Sequence, residues 1–345
     1  MKGNIDEKIR ALPKVELHRH LEGCITAEML LKIAQEHGIK LPTMDLERLR
    51  SYVQIQEKTA GLKEFLDKFY WLAMAFPDLE TIERIAYEVA RDCSRDNIRY
   101  VELRFSPTFM SLEKHHDWGD LLLHLLKGVR RAEEDFPIEV GLIVAVSRSN
   151  SLTSAMQTVA IASEYAGLGV VGLDLVGEER GFPPELFSSV FKIARESRLN
   201  LTIHAGEEGG ESNIRAAIEE LGAQRIGHGI QVVKDTSLMS FVREKGIPFE
   251  IALTSNVQTR AVSSLREHPV RTIRDFGIRV SLNTDDPAVS STSLSREYLL
   301  AMEHFDFTIA DLKSMILDTL EQAFIEEYRK VKLRARLRDE LALID

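Results

Sequence analysis

Short runs rich in Val, Ile and Leu recur along the chain and alternate with stretches of helical spacing. Candidate strands run from Lys14 to His18, Tyr100 to Phe105, Glu139 to Val146, Val170 to Val176, Asn200 to His204, Arg225 to His228, Pro248 to Leu253 and Arg279 to Asn283. Between most of them apolar residues return every three or four positions, as in Leu121, Leu122, Leu125, Leu126 and Val129, or Leu186, Val190, Phe191 and Ala194. Eight strands alternating with helices predict an α/β fold, a (β/α)8 TIM barrel whose near-continuous apolar strands suit a parallel sheet covered on both sides. A doubly wound open sheet is the structural alternative. One connection breaks the rhythm: about 80 residues separate the first strand from the second and read as several helices. This predicts a helical insertion, about 25–98, over the strand-end side of the barrel. Within it Phe65, Leu66, Phe69 and Ala73 stand at helical spacing, which by periodicity alone is an ordinary packing face. No internal repeat, low-complexity tract or Pro/Gly-rich linker divides the chain, so 1–345 is read as a single domain.

Composition narrows the partners. A formal net charge of −10 offers no overall basic field for a phosphate backbone, so nucleic acid is not expected. The basic run KVKLRARLR at 330–338 reads as a solvated helix face. Two cysteines, Cys24 and Cys93, are too few for a disulfide framework or a four-thiolate zinc site and fit a reducing compartment. The N-terminus lacks an apolar signal core, and no run approaches the roughly 18 apolar residues of a membrane span. The expectation is a cytoplasmic protein with no membrane partner; oligomeric state is left open.

Candidate chemistry sits where the strands end. Asp285 and Asp286 lie side by side in SLNTDDP, and HRH at 18–20, HAGEEG at 204–209 and GHG at 227–229 precede them, each after an apolar or β-branched run. In HRH the histidines are at i and i+2 and share one face of an extended strand. Alone, an HxH is a weak signal and an Asp-Asp-Pro is a turn or helix cap. Together, His18, His20, His204 and Asp285 would give three nitrogens and one carboxylate oxygen with a position left for water, as catalytic zinc requires. Such a metal lowers the pKa of bound water to about 7. A proton donor is then needed, for which Glu207 is placed three residues beyond His204, with Glu208 as the competing carboxylate. His228 suits the group that orients the nucleophile. Asp174 and Ser255, near two further strand ends, are candidates for holding ligands in place. Cys24 reads as a small packed residue, close enough to the site to be open to modification.

The segments LPKVELHRHLEG, YVELRFSP, LDLVGEERGF, HAGEEGG, RIGHGI, LTSNVQT and SLNTDDP, in this order from residue 12 to residue 287, closely resemble the adenosine deaminases, metal-dependent barrel enzymes of the amidohydrolase superfamily. The resemblance implies one zinc per chain on His18, His20, His204 and Asp285, with Glu207 protonating the purine ring at N1 and His228 orienting the attacking hydroxide. It further implies that Asp286 holds N7, that Gly177 offers a backbone N–H to the ring, and that Leu62, Phe65, Leu66 and Phe69 form an apolar wall, His20 also lying against substrate. The implied reaction converts adenosine and 2′-deoxyadenosine to inosine and 2′-deoxyinosine with release of ammonia, in purine salvage and nucleotide metabolism. One position departs from the pattern. Glu22 stands where the family usually has an aspartate contacting the ribose 5′-hydroxyl, an additional methylene that moves the carboxylate by about 1.5 Å. That change keeps adenine and 6-amino-6-deoxyfutalosine as alternative substrates. A catalytically silent binding relative is the alternative of another class; the zinc-thiolate nucleic-acid deaminases are excluded by their missing P-C-x-x-C signature.

Overall fold

The computed structural model describes residues 2–56, 58–59 and 61–344. Eight parallel strands form its centre: β1 Lys14–His20, β2 Ile98–Phe105, β3 Glu139–Ser147, β4 Val170–Val176, β5 Thr202–Ala205, β6 Arg225–His228, β7 Phe249–Ile251 and β8 Val280–Leu282. Regular pairing gives two four-stranded sheets in chain order, β1 to β4 and β5 to β8. Both seams between them are closed by single parallel bridges, Leu173 with Leu201 and Arg19 with Asp285. The ring is therefore a closed barrel, which removes the sheet edges. The open-sheet alternative falls with that closure. At the second seam the His20 N–H donates to the Asp285 carbonyl at 2.8 Å and the Asp285 N–H to the His18 carbonyl at 3.1 Å. Asn283 bridges the break in regular pairing beside it, its Oδ1 accepting from the backbone N–H groups of Leu17 and His18.

The strands fall close to their expected places, with differences at the ends. β1 runs two residues further, through both histidines, because the Asp285 backbone continues its pairing. β7 and β8 are three residues each; Leu253, the expected end of β7, instead opens the helix Leu253–Gln258. The larger difference lies inside. Apolar side chains such as Leu17, Leu103, Leu173 and Ile203 are buried, but so are Glu16, Glu102, Arg104, Asp174, Arg225 and Glu250. Arg104 reaches Asp174 at 2.5 Å and Glu250 at 2.9 Å, while Arg225 reaches Glu250 at 2.6 Å and Glu102 at 2.5 Å. Buried charges persist only when paired in this way.

Outside the strands, amphipathic helices bury one stripe each. The helix Leu79–Arg95 starts at Asp78, whose side chain accepts from the Thr81 N–H, and buries Ile82, Ile85, Ala86, Val89, Ala90 and Cys93. It packs against Trp118–Asp135, which buries the expected Leu121, Leu122, Leu125, Leu126 and Val129. Gly128 lets these helices approach, since a Cβ there would lie 2.2 Å from the Glu83 carbonyl oxygen. Val190, Phe191 and Ala194 are buried as expected, whereas Leu186 sits in a preceding single turn and is exposed. The basic run at 330–338 lies on the helix Glu327–Ala342, which buries Leu333, Leu337 and Leu341 on its inner side. Between β1 and Leu79–Arg95 come the helices Ala27–His37, Leu46–Val53, Leu62–Asp67 and Phe69–Leu72. This segment is tied back to the barrel by the Ile55 N–H to the Val289 carbonyl and by Thr59 to the Gln258 carbonyl. Among the described residues no helix is long and apolar enough to cross a membrane.

Candidate active site

Strand ends deliver the imidazoles and carboxylates to one place. His18 and His20 come from β1, His204 from β5, His228 from β6 and Asp285 from the turn after β8. Donor atoms of His18, His204, His228 and Asp285 lie within 4.8 Å of one another, and those of His20, Asp285 and Asp286 form an adjoining group. His18 Nε2 is 3.0 Å and His20 Nε2 3.3 Å from Asp285 Oδ1, and the Nε2 atoms of His20 and His204 are 3.3 Å apart. Small residues make the convergence possible. A Cβ on Gly227 would meet His18 Cε1 at 3.0 Å and the His204 ring at 3.3 Å. His228 and Asp285 both take φ of +63°, a left-handed conformation that non-glycine residues adopt only when their surroundings hold them there.

What lies behind the rings fixes their protonation. His18 Nδ1 is 2.8 Å from Glu250 Oε2 and His204 Nδ1 is 3.1 Å from Asp174. Ionised carboxylates only accept, so each ring carries its proton outward and turns the Nε2 lone pair inward. Burial presses His204 down to about 3, so it is neutral. Asp174 stays ionised, at about 2, because His204 and Arg104 overcome the opposing effect of burial. His18 Nε2 and Asp285 Oδ1 face each other at 3.0 Å, a nitrogen and a carboxylate oxygen set where a cation could take both as ligands. Ser255 Oγ donates to the other Asp285 oxygen at 2.7 Å. Imidazoles with one carboxylate are a fitting donor set for a borderline divalent metal, and the cluster is suited to bind one.

Two acids border this cluster. Glu207 is buried, and burial raises it to about 7, with Asp285 and Glu179 pushing the same way and His228 opposing. Its Oε1 accepts from Thr259 Oγ1 at 3.0 Å, and its Oε2 lies 3.5 Å from His228 Nε2. Glu208 is only half-buried and lies 3.5 Å from Arg180, so the competition between the two glutamates resolves in favour of Glu207 as the inward group. Glu179 holds the turn itself: its carboxylate accepts from the N–H groups of Gly206 and Glu207 at 2.8 Å and of Glu208 at 3.3 Å. Asp286 is also buried, and its carboxyl is pushed well above the ordinary range by burial, then by Asp285, Glu22 and Glu207. Its Oδ1 has no hydrogen-bond partner, and a Cβ on Gly23 would meet that oxygen at 1.9 Å. A buried acid oxygen without a partner, packed on Gly23 beside the cluster, marks a group kept for something other than structure.

The remaining expected contacts divide. Leu62 and Phe65 are buried on the helix Leu62–Asp67, and Phe69 packs by its ring on Phe65 and Phe109. Leu66, on the same helix, is 38% exposed and does not belong to the buried side of that wall. Gly177 has φ of +101°, a conformation open to glycine, at the end of β4. Glu22 is buried, raised by burial to about 7, and its Oε1 accepts from the Ser106 N–H at 2.7 Å. Cys24 is buried against Arg19 and the His20 carbonyl, and burial pushes its thiol up to about 11, which removes it as a reactive group. Asn256, Thr259, His268, Glu179 and Glu250 were not singled out from the sequence. The spacing of Ser255, Asn256 and Thr259 in LTSNVQT, one turn of helix apart, was the available signal.

A family model described as adenosine deaminase matches residues 13–340. An adenosine deaminase of Serratia proteamaculans (strain 568) is 39% identical over 332 residues, covering 95% of this chain and 98% of that protein. Among solved structures, an amidohydrolase from Burkholderia ambifaria with bound Zn superposes with a TM-score of 0.90 at 27% identity, covering 100% of this chain and 94% of that one. The adenine deaminase of Arthrobacter aurescens gives a TM-score of 0.87 at 27% identity, covering 96% and 98%. Matched along nearly its whole length by sequence, and in the barrel that gathers its histidines and aspartates, this chain belongs to the adenosine deaminase family and is a hydrolytic deaminase.

Proposed function

We propose that the chain is one catalytic unit, with the helices after β1 as its cover, that deaminates adenosine and 2′-deoxyadenosine to inosine and 2′-deoxyinosine plus ammonia. The observation that carries this reading is the pairing of a buried Asp286 oxygen without a partner and a Glu207 that burial lets keep its proton up to about pH 7 beside the histidine cluster. A purine offers both acids an acceptor, N7 to Asp286 and N1 to Glu207. His18, His20, His204 and Asp285 would hold one zinc ion. When bound, that ion supplies Lewis acidity that makes water nucleophilic near neutral pH.

The chain's own groups do the rest. Thr259 occupies one oxygen of Glu207, so its proton resides on the other, toward the base. Attack at C6 breaks the ring's aromaticity and places negative charge on N1, where this proton stabilises the addition transition state. Asp286, kept protonated, donates to N7 and fixes the ring plane. His228 orients the attacking oxygen, and the amino group departs as ammonia. Gly177 supplies a backbone N–H to the base, and Leu62, Phe65 and Phe69 wall the pocket with Leu66 at its outer rim. The setting is purine salvage and nucleotide metabolism in the cytoplasm.

A second reading rests on Glu22. One oxygen of its carboxyl, Oε1, is committed to the Ser106 N–H, which favours a substrate without a ribose 5′-hydroxyl, such as free adenine. Absorbance and ammonia release with adenosine, deoxyadenosine, adenine and 6-amino-6-deoxyfutalosine, on protein of assayed zinc content, separate the two. Rapid turnover of both nucleosides with adenine inert supports the first reading; preference for adenine or the futalosine replaces it while leaving the mechanism intact.

A further inference from the structure

His228 differs from His18 and His204 in what its outer nitrogen meets. His18 and His204 turn Nδ1 toward carboxylates, whereas His228 Nδ1 lies 2.9 Å from Asn256 Nδ2. An amide NH2 only donates. Asn256 has no freedom to turn round, because its Oδ1 is occupied by His268 Nε2 at 3.2 Å. His268 has none either, since its Nδ1 lies 3.1 Å from the backbone nitrogen of Val270. Val270 opens the helix Val270–Asp275, where an N–H has no intrahelical acceptor, and a backbone amide has a hydrogen to give and no lone pair to offer. Polarity is therefore set at Val270 and passes along the chain: Val270 N–H to His268 Nδ1, His268 Nε2–H to Asn256 Oδ1, Asn256 Nδ2–H to His228 Nδ1. His268, Asn256 and His228 are all buried, so no solvent competes for these bonds.

We propose that Val270, His268 and Asn256 form a directional relay that holds His228 as its Nε2–H tautomer, a hydrogen-bond donor to the reacting centre instead of a metal ligand. Asn256 and His268 are thus positioning residues. The same rule sorts all three rings: a carboxylate behind His18 or His204 makes a ligand, an amide behind His228 makes a donor. Its Nε2 lies 3.5 Å from Glu207 Oε2 and 3.9 Å from Asp285 Oδ2, beyond direct hydrogen-bond reach of either, and so points between the acid and the cluster. This inference rests on the role given above to His228 in orienting the attacking oxygen.

The test starts with the tautomer. In zinc-loaded enzyme labelled with 15N-histidine, long-range 1H–15N correlation spectra should show His228 pyrrole-type at Nε2 and pyridine-type at Nδ1, with the opposite pattern for His18 and His204. A proton on Nδ1 of His228 overturns the relay whatever the enzyme turns over, so its failure is distinct from failure of the substrate assignment. Asn256→Asp, nearly isosteric, offers His228 an acceptor and inverts the ring; kcat should fall about 10²-fold or more with KM and zinc content little changed. His268→Gln keeps an N–H at that end and should lose less kcat than His268→Leu. Equal losses in those two, or a parental kcat in Asn256→Asp, would overturn the proposal.

Discussion

Glu207 has to keep a proton where an isolated glutamic acid is ionised. Burial raises its pKa from 4.5 to about 7, so the acid form prevails below that value and is lost as pH rises through it. The alkaline limb of kcat/KM is therefore expected near pH 7, and Glu207→Gln should lose about 10²- to 10⁴-fold in turnover while retaining zinc by metal assay. The sign for stability is the same. Between pH 4.5 and 7 the folded chain holds this proton and the unfolded chain releases it, so the group's contribution to stability, complete below pH 4.5, falls across that window. Gly23 matters through what it lacks. In Gly23→Ala the new methyl would overlap Asp286 Oδ1, and a displacement of about 1 Å should reduce kcat/KM about 10²-fold with metal content unchanged, read by steady-state kinetics.

At the scale of elements, one short helix, Leu253–Gln258, and the residue that ends it serve three site groups: Ser255 holds Asp285, Asn256 meets His228 and Thr259 holds Glu207. Ser255→Ala should weaken metal affinity about 10- to 100-fold, measured by competition with a chelator. The histidines and aspartates were legible in the sequence because each ends an apolar strand, and a strand end in a parallel barrel is where chemistry collects. Asp174 and Ser255 were legible as supports for the same reason, but Asn256 and Thr259 were not, because Asn256 reaches back 28 positions and Thr259 52 positions to partners that only the fold brings near. Leu66 shows how far spacing alone can be pressed. Helical spacing grouped it with Phe65 and Phe69, but on a short helix one step around the axis carried it out to solvent.

For the whole molecule, the unforeseen feature is the ionic interior. Arg104 and Arg225 are joined through Glu250, with Asp174 and Glu102 at the ends, and Glu250 and Asp174 also orient His18 and His204. Pattern reading misses this because charges on a strand resemble solvent-facing positions until barrel closure pairs them. Arg104→Met would leave the buried Asp174 without its guanidinium partner and Glu250 with Arg225 alone, and the fold should lose about 3–5 kcal/mol, measurable by urea unfolding of the zinc-loaded protein. The two seams have a consequence of their own. The first sheet carries His18 and His20, the second sheet carries His204 and leads through the turn after β8 to Asp285, and each seam has a single backbone bridge. An ion held by all four would be a rivet between two half-barrels, added to the Arg104–Glu250 and Arg225–Glu102 pairs that already span them, so stripping it with a chelator should lower the thermal unfolding midpoint without unfolding the chain.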